Sequence, residues 1–135
     1  MPFLTNLSVS GGSEGYPFSI PAIAGLENGI KLHPKVTYLV GENGMGKSTL
    51  LEGLADKWGF SKESGNRSKS HGLYLLDEPE AALSPTRQMA FLVRLHNLVE
   101  DFSQFVIATH SPIVLAYPDS IIYEFTEDGI AQVEY

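Results

Sequence analysis

Apolar residues in this chain fall into short continuous runs separated by stretches of helical period. Val36-Thr37-Tyr38-Leu39-Val40, Leu73-Tyr74-Leu75-Leu76 and Phe105-Val106-Ile107-Ala108 are each bounded by polar or glycine-containing segments. Such runs predict strands buried on both faces of a parallel sheet. Over residues 47–58, Leu50, Leu51, Leu54 and Trp58 share one helical face, and Gly59 supplies a C-terminal stop. A second helix is predicted from Ser84, its cap, through Pro85, its first residue, to about Glu100. Its Leu92, Leu95, Leu98 and Val99 recur at the spacing of a packed face. Ser111-Pro112 repeats the cap-and-proline signal for a short helix, and residues 120–125 and 130–134 read as a hairpin around Thr126-Glu127-Asp128-Gly129. Upstream, residues 3–9, 17–20 and 27–32 look like short strands of an antiparallel apron, with 10–15 as a turn.

Strand and helix therefore alternate, which predicts one three-layer α/β domain over residues 1–135 with a mostly parallel central sheet. The pattern fails only at about 59–72, a polar stretch with no apolar period.

The most specific chemistry lies where the first long strand meets the first helix. Gly41-Glu42-Asn43-Gly44-Met45-Gly46-Lys47-Ser48 has the form G-x-x-x-x-G-K-[ST]. The glycines let the backbone curl so that successive N–H groups face an anion, and the helix beginning there adds its positive end. Lys47 is placed to reach β- and γ-phosphates, Ser48 to offer its hydroxyl to a magnesium ion, and Thr49 closes the phosphate-binding segment.

The run Leu73–Leu76 ends in Asp77-Glu78-Pro79, the form of a Walker B strand. Asp77 would hold magnesium and Glu78 would polarise the attacking water, while Pro79 stops the strand. Gln104 to Ala108 is followed by Thr109-His110-Ser111, so His110 is a candidate γ-phosphate sensor.

Together, Gly41 to Ser48, Leu73 to Pro85 and Ala108 to Pro112 resemble the ATP-binding-cassette class of P-loop ATPases. Within it they are most similar to small stand-alone bacterial AAA family ATPases related to SMC and RecF-type proteins. The resemblance implies a P-loop fold with the His110 strand between the phosphate-loop and Walker B strands. Glu78 and His110 would then flank the γ-phosphate, as catalytic base and switch histidine. It also implies ATP rather than GTP, a head-to-tail homodimer, an aromatic on adenine with Tyr16 and Phe18 as candidates, and a D-loop at Ala81 to Ser84. Ser84 stands where many relatives carry Asp.

The chain departs from that family between its two Walker motifs. Only residues 49–76 separate Ser48 from Asp77, leaving no room for a glutamine loop, a helical subdomain and a signature motif. The stretch 59–72 is a natural minimal loop, the scar of an engineered deletion, or a junction where a disordered or excised middle has been closed up. Val9-Ser10-Gly11-Gly12-Ser13 resembles a signature only on paper, because no helix follows it.

Composition narrows the partners. Sixteen acidic against nine basic residues give a net charge of −7, which disfavours general attachment to nucleic acid or acidic lipid. Lys57, Lys62, Arg67 and Lys69 in and beside the polar stretch read as a solvated segment. Cysteine is absent, so disulfide and thiolate chemistry are excluded. With no membrane-length apolar run and no basic leader, a cytoplasmic location is expected. The expected activity is Mg-ATP hydrolysis; the alternative is a nucleotide-binding module with little turnover for want of a signature motif.

Overall fold

The apolar runs become neighbouring strands. A computed structural model describes residues 6–7, 30–58 and 72–134. Strands β1 (Asn6–Leu7) and β2 (Ile30–Lys31) pair antiparallel, apart from a five-stranded sheet. That sheet contains β3 (Val36–Val40), β4 (Leu73–Asp77), β5 (Gln104–Ala108), β6 (Ser120–Thr126) and β7 (Gly129–Val133). Its spatial order is β4-β5-β3-β6-β7, parallel except for the final antiparallel hairpin. The expected placement of the His110 strand between its two partners is therefore met.

Helix α1 spans Lys47–Trp58 and helix α2 spans Pro85–Glu100. They lie on opposite faces because side chains alternate along the strands. Leu39, Val106, Ala108 and Phe125 point to one face and pack with Leu50, Leu51 and Leu54 of α1. Tyr38, Val40, Phe105 and Ile107 point to the other and pack with Leu95 and Val99 of α2. Each fully buried leucine contributes about 1.5–3 kcal/mol, so both helices are held by their apolar faces. Ser84 caps α2 as expected, its Oγ accepting the Arg87 N–H at 3.3 Å.

The short helix after Ser111 is a single 3-10 turn, Val114–Ala116. Ser111 Oγ accepts from the N–H groups of Ile113 and Val114, each at 3.2 Å. The apron is seen only in its β1–β2 pair, fastened to β6 by the Tyr123 hydroxyl, which donates to the Lys31 carbonyl at 2.6 Å. The expected strand at 17–20, the turn at 10–15, Tyr16, Phe18 and the polar stretch through residue 71 lie outside the described residues. So does the side chain of Trp58.

Register decides what the sheet can present. Val36 is level with Phe105 and Ser120, and Asp77 with Ala108. The parallel strands thus begin and end together, and the segments leaving β3, β4 and β5 emerge side by side at their carboxyl edge. That is the edge at which open α/β sheets bind ligands.

Candidate functional site

The loop from Gly41 to Ser48 joins β3 to α1 along this edge. Gly41, Gly44 and Gly46 have φ of 135°, 87° and 110°, a region that side-chain-bearing residues rarely adopt. At Gly41 the need is doubled, because a Cβ there would run into the Phe125 carbonyl of β6. Glu42, Asn43, Gly44 and Ser48 are exposed, Met45 and Thr49 half-buried. The Leu50 N–H reaches the Gly46 carbonyl at 2.9 Å, which starts α1.

Lys47 is 4% exposed. Its ammonium donates to the Gly41 carbonyl and lies 3.1 Å from His110 Nε2. Burial lowers the Lys47 pKa, opposed by the charges of Glu78, Asp77 and Glu80. A buried cation whose direct partners are a backbone carbonyl and an imidazole nitrogen is well suited to an incoming anion.

Ser48 and Asp77, distant in sequence, meet where α1 begins and β4 ends. The Ser48 hydroxyl donates to Asp77 Oδ2 at 2.6 Å. A hydroxyl and a carboxylate are hard oxygen donors, and magnesium is held by few protein ligands while keeping several waters. The pair fits that ion. Among the described residues no group of three or more His, Cys, Asp or Glu could form an all-protein metal cage.

Glu78 follows in a left-handed conformation, with φ of 49°. Its N–H bonds to the Ala108 carbonyl at 2.7 Å, so the chain must turn sharply as it leaves the sheet. The left-handed region costs a residue with a side chain about 1–2 kcal/mol, the kind of strain that clusters at functional sites. Glu78 Oε2 lies 3.5 Å from His110 Nε2. The imidazole thus stands between the Lys47 ammonium and the Glu78 carboxylate. Of the residues singled out from sequence, the structure brings Lys47 and Glu78 to His110, and Ser48 to Asp77.

Glu80 was not anticipated. Its Oε1 accepts the Thr109 hydroxyl at 2.7 Å and its Oε2 accepts the His110 N–H at 3.2 Å. Gln88, on the first turns of α2, reinforces the same junction. Its Nε2 donates to the Leu83 carbonyl at 3.1 Å, and its Oε1 accepts the Ser111 hydroxyl. Neither residue repeats at a telling interval, and only the β4–β5 register brings them to the His110 segment. Beside the loop opens a cleft of about 920 Å³ whose walls include Glu42, His110, Leu115, Glu124 and Asp128.

Residues 63–116 match the model of a family described as "AAA domain, putative AbiEii toxin, Type IV TA system". The matched stretch is similar to a P-loop ATPase-type AAA domain and includes Asp77, Glu78, Glu80 and His110, but not the loop at 41–48. No curated protein matches the chain. Among the described residues no helix is long and apolar enough to cross a membrane.

Proposed function

We propose that this chain is a single P-loop domain that binds Mg-ATP and hydrolyses it to ADP and phosphate, as an ATP-binding-cassette-type ATPase of the SMC and RecF-like kind. The observation that carries the reading is the meeting of Lys47, Glu78 and His110 beside the Ser48–Asp77 pair, at the sheet edge where the glycine loop opens. Backbone N–H groups from Gly41 to Thr49 would cradle the phosphates. Lys47 would exchange its carbonyl and imidazole neighbours for β- and γ-phosphate oxygens. Ser48 and Asp77 would hold magnesium, which when bound offsets charge on the phosphate oxygens.

Glu78 takes the proton of a water as that water's oxygen attacks the γ-phosphorus and the bond to the ADP oxygen breaks. His110 donates from its ring toward the transferred phosphoryl group, and its closeness to Glu78 supports that placement. A head-to-tail homodimer remains part of the reading by resemblance. The second reading, a nucleotide-binding module with little turnover, is favoured by the short interval between Ser48 and Asp77, which carries no signature motif.

Glu78→Gln separates the two. Loss of a general base lowers turnover about 10²–10⁴-fold, and ATP affinity measured by calorimetry should be retained. Wild-type turnover no faster than that of Glu78→Gln would leave only the binding module. Lys47→Ala should weaken ATP binding under either reading, and an unchanged affinity would exclude both.

A further inference from the structure

We propose that Glu80 is a positioning residue that sets where His110 stands relative to Glu78. The inference rests on the functional reading above for its effect on turnover, and on geometry alone for its effect on the loop. Both oxygens of one carboxylate are committed to consecutive residues of the segment leaving β5, the Thr109 hydroxyl and the His110 N–H. Thr109 is fully buried, and its Oγ1 also accepts the Ser111 N–H at 3.0 Å. Its hydroxyl proton is thus directed to Glu80, and the bond is a charge-assisted one inside the protein.

The other end of the clamp is equally determined. Glu80 shares a tight turn with Glu78, in which the Ala81 N–H bonds to the Glu78 carbonyl at 3.1 Å and the Leu83 N–H to the Glu80 carbonyl at 2.9 Å. His110 is therefore held at its backbone by one residue of this turn while its ring faces another, 3.5 Å away. Movement of the turn carries both groups together. Removal of the clamp frees the histidine backbone while leaving Glu78 in place.

The test compares wild type, Glu80→Ala and Glu80→Gln. In the glutamine variant the side-chain oxygen still accepts the His110 N–H, and the amide can donate to Thr109 Oγ1. Amide hydrogen exchange of His110, read by NMR, should quicken about tenfold or more in Glu80→Ala and stay within about threefold in Glu80→Gln, while Val106 and Ile107 in β5 hold their rates. In steady state Glu80→Ala should lower kcat for Mg-ATP about 10–100-fold with KM nearly unchanged, and Glu80→Gln should recover most of it. An unaltered His110 exchange rate in Glu80→Ala overturns the proposal, as does a raised KM with unaltered kcat. Should Glu80→Ala not fold, Glu80→Asp takes its place, too short to serve both partners. Wild-type protein without turnover would remove the hydrolysis reading alone, and the exchange rates would still decide the clamp.

Discussion

Glu78 is placed where a glycine would be at ease, and the chain keeps a glutamate there. At φ 49° a side chain is penalised, so the usual preference of stability for alanine over glycine should invert at this position. Glu78→Ala and Glu78→Gly both delete the carboxylate and its contact with His110, so their difference isolates the backbone. Glu78→Gly should be the more stable by about 0.5–1 kcal/mol in urea unfolding, where most positions would favour alanine by a similar margin. Equal midpoints would mean that the strained backbone costs nothing. The residues that motif order singles out, Lys47, Ser48, Asp77, Glu78 and His110, are ones the structure gathers at the sheet edge. Glu80 and Gln88 were not legible that way, because their partners are set by how two strands align and by a turn between them. A carboxylate two positions after Glu78 looks in sequence like any solvated acid.

The elements were legible wherever burial repeats with a clear period. Helix α1 begins at Lys47 because the glycine loop delivers the chain there, and α2 begins at Pro85 because Ser84 caps it. The short helix after Ser111 was less so, since what limits it is distant in sequence. Ser111 spends its oxygen on two N–H groups, while the Val114 carbonyl accepts the Tyr38 hydroxyl at 2.5 Å. Tyr38 comes from the buried centre of β3, and burial raises its hydroxyl pKa. The 3-10 turn is thereby tied to the strand that leads into the glycine loop. Tyr38→Phe leaves the shape intact but strands a buried carbonyl, so it should destabilise the protein by about 1–3 kcal/mol in denaturant unfolding. A loss near zero would mean that another donor replaces the hydroxyl.

Across the whole molecule, the mostly parallel sheet and its helical layers followed from the run of elements and the place of the His110 strand from the resemblance, whereas association with a second copy is written in no periodicity. Nucleotide linkage can address it. Anything that binds the native state alone stabilises it by RT ln(1 + [L]/Kd), about 2.7 kcal/mol at a hundredfold excess over Kd. For a chain of 135 residues this corresponds to a rise in Tm of about 8–10 °C on adding Mg-ATP. Lys47→Ala should lose most of that rise, since it removes the buried cation rather than the fold. Protein concentration then distinguishes the two assemblies. If a monomer binds ATP by itself, the rise at fixed free nucleotide is the same at every protein concentration. If two chains must close on the nucleotide, dimerisation joins the linkage and the rise grows with protein, most visibly in Glu78→Gln, which under the proposed mechanism should hold ATP without consuming it. A net charge of −7 on each copy opposes such closure, so added salt should enlarge the concentration-dependent part by screening the repulsion. A rise indifferent to both protein and salt would identify the chain as a monomeric nucleotide binder.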